Sequence, residues 1–172
     1  MDTRPPGPVE LHLLRHADAG DPLAWPGPDA ERPLTKRGMR QAERLAGLLL
    51  AAGFEPDVLV SSPYRRATQT ARRLGTALGL EVVVDDRLAG RLDLPTVDGL
   101  LDDLGRPGRP VLVGHDPDFS TLVAVLCASE GVPVPKGALV RIDAPRPLEA
   151  GAGVLRWLIP PDALKVRPRH RS

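Results

Sequence analysis

The chain has 172 residues, a length that suits one ordinary domain. Apolar residues make up 42% and charged residues 26%, enough to build a core, so a chain disordered throughout is excluded. Its 23 basic and 22 acidic side chains leave a net charge of +1, which excludes nucleic-acid or membrane binding driven by bulk charge.

Residues 1–8 are rich in proline and read as a disordered leader, without the apolar segment of a signal peptide. The run Val9-Glu10-Leu11-His12-Leu13-Leu14 reads as a buried first strand that stops at Arg15-His16, with His12 a structural residue inside it. Ala17 to Pro33 is rich in Gly, Pro and Asp and is expected to be a loop. Thr35 is a fitting N-cap for a helix whose apolar face takes Met39, Ala42, Leu45, Ala46, Leu49 and Leu50, with Gly53 ending it. Asp57–Ser61 is expected to be a second strand, Arg65 to Leu78 a helix closed by Gly79, and Glu81–Val84 a third strand. A polar loop from Asp85 to Pro95 leads to a short helix over about Thr96 to Leu104.

Pro110-Val111-Leu112-Val113-Gly114-His115 repeats the first pattern, an apolar strand ending in histidine. Asp116 can cap the next helix from which Leu122, Val123, Val125 and Leu126 face the core, and Pro117 suits its first position. Cys127 stands alone; it cannot close an internal disulfide or furnish a multi-thiolate zinc site, and it fits a reducing cytoplasm. Two strands, near Ala138–Ile142 and Val154–Ile159, complete a domain over residues 9–160, and residues 161–172 read as a basic, solvated tail. No apolar run reaches the ~20 residues a membrane-spanning helix needs. Strands alternating with helices define a single α/β/α domain with a mostly parallel, twisted sheet.

In such sheets, sites form beyond the carboxyl ends of the strands. Here those ends carry Arg15-His16, then Ser61-Ser62-Pro63 leading to Arg65 and Arg66, then His115. Parallel neighbours would bring two histidines face to face with arginines between them. That set suits phosphoryl transfer. Guanidinium forks match phosphoryl oxygens, and a neutral imidazole is a good nucleophile near pH 7. A second imidazole, if protonated, adds hydrogen bonds to the same oxygens. The arginines can neutralise the charge without a metal or other cofactor.

The motifs Leu14-Arg15-His16-Ala17, Arg32-Pro33-Leu34-Thr35-x-x-Gly38, Ser61-Ser62-Pro63-x-x-Arg66-Ala67-x-Gln69-Thr70 and Val113-Gly114-His115 stand in the order of the histidine phosphatase superfamily. The short chain and His115-Asp116-Pro117 resemble its small branch, the SixA-type phosphohistidine phosphatases. The resemblance spans Leu11 to Pro160 and implies a phosphoglycerate mutase-like fold. It implies His16 as the nucleophile that forms a phosphohistidine intermediate, Arg15 and Arg66 as clamps on the phosphoryl oxygens, and His115 as the group completing the pocket. Arg32 matches an arginine of the pocket edge and is expected to bind substrate. The family's glycine after the nucleophile is Ala17 here, which would resist a positive φ.

Larger relatives place a glutamate shortly after the third strand to protonate the leaving oxygen. This chain has Arg87-Leu88-Ala89-Gly90 there. An alkoxide needs a proton to leave, whereas a phosphorylated imidazole can leave as a neutral ring. The missing acid favours an N-phosphoryl or other activated substrate, with phosphohistidine in a protein the expected one, unless Asp18, Asp86 or Asp93 substitutes as donor from a nearby loop. The alternatives are a small-molecule phosphomonoesterase acting on a phosphorylated metabolite, or a phosphate-binding module without turnover.

Overall fold

The computed structural model describes residues 7–165; the first six residues of the expected leader and residues 166–172 of the expected tail lie outside them. Six strands form one sheet in the order β3-β2-β4-β1-β5-β6, from β1 (Val9–Arg15), β2 (Val58–Ser61), β3 (Val82–Val84), β4 (Pro110–Gly114), β5 (Leu139–Ala144) and β6 (Val154–Ile159). The first four strands pair in parallel, while β5 and β6 extend the sheet beyond β1 as antiparallel strands. The mixed α/β sheet is the expected one.

Alternation along β1 assigns the layers. Val9, Leu11 and Leu13 face a core shared with α3 (Leu94–Asp103) and α4 (Asp118–Cys127), around Leu100, Leu101, Phe119 and Leu122. Leu14 faces the other way, with Val111 and Val113, onto Leu45, Leu49 and Leu74 of α1 (Lys36–Ala51) and α2 (Arg65–Leu78). His12 shares that second face. It is buried, its Nδ1 is 3.2 Å from the Pro110 carbonyl, and its ring lies edge-on to Phe54, so its role is structural as expected.

Local chemistry explains the helix limits. Thr35 Oγ1 accepts from the Gly38 amide at 3.0 Å and caps α1. Gly79, at φ +70, closes α2 in the left-handed conformation. Asp93 caps α3 through the Thr96 amide, so this helix starts two residues before the expected Thr96. Asp116 also acts as a cap, accepting from the Ser120 amide at 3.1 Å, but the helix proper begins after Pro117.

Some expectations fail. Leu50 and Val125 are 58% and 40% exposed, because each falls at the edge of its helix's apolar stripe. The loop before α1 contains two single 3-10 turns, Pro22–Ala24 and Asp29–Glu31. The packed domain also runs beyond residue 160. Pro161 is buried, and Leu164 packs against the α1–α2 side of the sheet through the turn Pro161–Leu164.

Candidate active site

The register of β1 and β4 builds the site. Arg15 pairs with Gly114, so the next residue of each strand, His16 and His115, leaves the sheet at one level. The His16 amide donates to the Gly114 carbonyl at 2.9 Å, and the two imidazole centroids lie 5.3 Å apart. On the other side of β4, Ser61 pairs with Val113, and the chain turns through Ser62 into α2. The first turn of α2 delivers Arg66 to the same rim.

Glycine is needed twice for this convergence. A Cβ on Gly114 would sit 2.8 Å from the buried Phe119 ring. One on Gly38 would sit 2.0 Å from the Asp18 carbonyl, so α1 could not approach the backbone that follows His16. The hydroxyl and amide side chains of the third motif finish the join. Thr70 Oγ1 accepts from the Ala17 amide at 3.1 Å and donates to the Arg66 carbonyl, and Gln69 Oε1 accepts from the Leu34 amide at 2.8 Å. Ala17 fits because its φ is not positive.

A cavity of about 380 Å³ opens here. His16, His115, Arg15, Arg32 and Arg66 all line it, so the five candidate residues meet in one place. Arg65 does not; it is exposed at the start of α2. Tyr64, Asp116, Asp118 and Lys136 also line the cavity and were not expected. Among the described residues, no group of three or more His, Cys, Asp or Glu side chains could hold a metal ion.

His16 is almost fully buried, and its hydrogen bonds fix its tautomer. Nδ1–H donates to the Ala17 carbonyl at 2.8 Å, which leaves the lone pair on Nε2. Arg66 Nε donates to that Nε2 at 3.2 Å. The rest of the Arg66 fork meets Asp29, Nη1 reaching its carbonyl at 2.8 Å and Nη2 its carboxylate at 2.9 Å. Arg32 Nε approaches the other Asp29 oxygen at 2.9 Å, while its Nη1 donates to the Ala19 carbonyl. Arg15 Nη1 donates to the Val134 carbonyl at 2.8 Å and lies 3.5 Å from the Asp116 carboxylate. His115 Nε2 is 2.7 Å from Ser62 Oγ, with the Tyr64 ring 5.0 Å away.

Burial holds both site histidines neutral. His16 is lowered to about 3, chiefly by loss of solvent and then by His115, Arg66 and Arg15; a bond to the Ala17 carbonyl acts in the opposite sense. His115 is lowered to about 4, again by burial first, with Arg66 the largest neighbouring charge. His115 is therefore neutral near pH 7, and the protonated form considered from the sequence needs a compensating negative charge beside it. His12, also lowered to about 4 by burial, behaves the same way.

Stability should consequently fall as pH drops from about 6.5, the ordinary histidine value, towards about 4. In that window the unfolded chain binds protons that the folded chain refuses, so acid favours unfolding. Each such histidine contributes about 1.4 kcal/mol per pH unit. Calorimetric melting points across pH 4 to 7 check this; a flat profile would contradict the buried neutral imidazoles. Carboxylates such as Asp29 and Asp143 are held low by arginines and add their loss only below that window.

The carboxyls suggested as stand-in acids are engaged elsewhere. Asp18 accepts from Thr35 Oγ1 at 2.6 Å, Asp93 caps α3, and Asp86 lies in the 3-10 turn Asp86–Ala89 without lining the cavity. Ala89, from the stretch Arg87-Leu88-Ala89-Gly90, does line it. The cavity is also lined by Asp116, bound to Ser120 Oγ at 2.6 Å, and Asp118, whose carboxyl burial pushes up.

A neutral histidine nitrogen facing arginine forks at the rim of a mixed α/β sheet defines a histidine-type phosphatase. The family model for the histidine phosphatase superfamily (branch 1) matches residues 11–99, and the chain belongs to this superfamily. It is 30% identical over 167 residues to the phosphohistidine phosphatase SixA of Escherichia coli (strain K12), covering 92% of this chain and 98% of that one. An 8-oxo-(d)GTP phosphatase of Mycolicibacterium smegmatis is 32% identical over 113 residues, 63% of this chain and 34% of that protein. The solved structure of the protein histidine phosphatase SixA complexed with tungstate aligns at a TM-score of 0.76 and 28% identity, over 91% of this chain and 100% of that chain. Among the described residues, no helix is long and apolar enough to cross a membrane.

Proposed function

We propose that this protein is a phosphohistidine phosphatase acting on phosphorylated proteins, with His16 as nucleophile. The observation that carries the reading is the Nε2 lone pair of neutral His16 in a cavity lined by three arginines, one of which, Arg66, donates to that lone pair and must release it for attack. In the first step Nε2 bonds to phosphorus as the P–N bond of the substrate breaks. The departing imidazole leaves neutral if its other nitrogen is protonated. In the second step water attacks phosphorus, the His16–phosphorus bond breaks, and inorganic phosphate leaves. Arg15, Arg66 and, at the pocket edge, Arg32 stabilise the charge spread over the equatorial oxygens. A dianion beside His115 offsets the cost of charging that imidazole, so His115 gains a proton when the pocket fills.

Similarity to SixA over nearly the whole of both chains supports the substrate class. So does Ala89, which brings no acid to the place where alkoxide leaving groups need one. The cytoplasm, with its reducing conditions and phosphorylated partner proteins, belongs to the same reading.

A second reading, a small-molecule phosphomonoesterase, is favoured by one observation: Asp118 lines the cavity and burial raises its carboxyl, which favours a proton-donating form. Competition between a phosphohistidine peptide and a serine phosphate ester separates the two. The expected kcat/KM ratio is at least about 100 in favour of the peptide, the range of a general acid's contribution. Equal or reversed preference would overturn the protein substrate. An Asp118→Asn variant that loses only ester turnover would establish the second reading.

A further inference from the structure

Asp29 belongs to none of the four motifs, yet it bonds to two of the pocket arginines. It comes from a single 3-10 turn in the loop between β1 and α1. Its carboxylate is shared by two pocket arginines, with Oδ2 at 2.9 Å from Arg66 Nη2 and Oδ1 at 2.9 Å from Arg32 Nε. Its backbone carbonyl takes a further hydrogen bond from Arg66 Nη1 at 2.8 Å. Arg66 is therefore held on two sides, by Asp29 at the Nη end and by His16 Nε2 at the Nε end.

We infer that Asp29 is a positioning residue for phosphoryl binding, its carboxylate setting the direction of the Arg66 and Arg32 forks towards the group on His16. A guanidinium has five N–H donors in one rigid plane. Two of those on Arg66 are engaged by Asp29, which fixes the plane, and the Nε–H that meets His16 Nε2 is released to the phosphoryl oxygens when that nitrogen bonds to phosphorus. The same carboxylate offsets the repulsion between two nearby guanidinium groups, both of them buried. Without it, a long arginine side chain must be ordered by the ligand itself, and binding is weakened by that ordering cost. Asp29 suits this task because the aromatic face of Tyr64, 4.8 Å from the Arg66 carbon, limits the fork on a third side.

This inference rests on the pocket being the phosphoryl site, and its test does not depend on which phosphorylated substrate is natural. Inhibition by inorganic phosphate is measured with p-nitrophenyl phosphate as reporter, alongside kcat and KM, for wild type, Asp29→Ala, Asp29→Asn and the same changes in an Arg66→Ala background. Asp29→Ala should weaken phosphate inhibition about tenfold, the range for a hydrogen bond to a charged group, and raise KM in step. Asp29→Asn keeps one oxygen for Arg66 but gives Arg32 no second acceptor, so it should lie between. In the Arg66→Ala background the same change should cost clearly less than in the wild type, because only Arg32 is left for Asp29 to act through. A merely structural role would lower the active fraction and leave phosphate inhibition unchanged. Unchanged inhibition overturns the inference, and so does tighter inhibition, which would make the carboxylate a competitor of the ligand. Equal losses in both backgrounds overturn it as well. Wild-type protein that ignores inorganic phosphate overturns the pocket reading together with this one.

Discussion

Replacing His16 with alanine is expected to abolish turnover, a loss of at least about 10⁴-fold, because no other side chain offers a lone pair at that point. The nearest imidazole, His115, has its Nε2 committed to Ser62 and belongs to the opposite wall. The loss should come without unfolding, since His16 contributes one buried ring to a site whose backbone is held independently. Its amide bonds to the Gly114 carbonyl, and its carbonyl accepts from the Gly137 amide at 3.0 Å. The check is twofold: steady-state kinetics of the variant, and mass spectrometry of wild type quenched in alkali, where a phosphoryl group should sit on His16. A variant that keeps a tenth of wild-type activity, or a label found on another residue, would remove His16 as the nucleophile.

The second large effect concerns Arg66. Arg66→Ala is expected to lower kcat/KM by about 10²–10³, in line with the loss of one preorganised oxyanion donor. Arg66→Lys should recover little. A lysine is a point charge and cannot span His16 Nε2, the Asp29 carbonyl and the Asp29 carboxylate at once, as the planar fork does. Arg15→Ala should cost a similar factor by a different route. Its fork is braced on the Val134 carbonyl and Asp116, outside the Asp29 set, but both arginines meet the same phosphoryl group, so the double variant should lose less than the product of the two single losses. Kinetics of the four-variant cycle measure this. Full activity in the lysine variant would mean that charge alone matters at that position.

Much of this arrangement was legible in the chain because its signals are local. Strands ending in Arg15-His16 and Gly114-His115 announce their own ends, and Arg65 to Leu78 with Gly79 gives a helix with both limits correct. The antiparallel edge was less visible, because two late apolar runs carry no mark of strand direction. Leu50 and Val125 were placed in the core by spacing of three and four, although a helix packs only the middle of such a stripe. The site's acidic members were the least readable. Asp29, Asp116 and Asp118 look like ordinary turn and cap residues in sequence. What makes Asp29 matter is the path of a loop that folds back over α2, and what raises Asp118 is burial; neither has a periodicity to read. Thr70 and Gln69 were quoted within a motif, but their bonds to Ala17 and Leu34 are known only from the fold.

The order of the strands has one more consequence. The proposed nucleophile, His16, follows β1, yet its facing histidine follows β4, and the His16 carbonyl is held by Gly137, just before β5. Between His16 and His115 the chain must pass through two intervening strands and three helices. A fragment that stops short of residue 137 lacks the amide that holds the His16 carbonyl, however well its early elements form. Enzymatic rate is thus expected to report near-complete tertiary assembly, with a truncated polypeptide inert towards phosphoryl groups until its final third has docked.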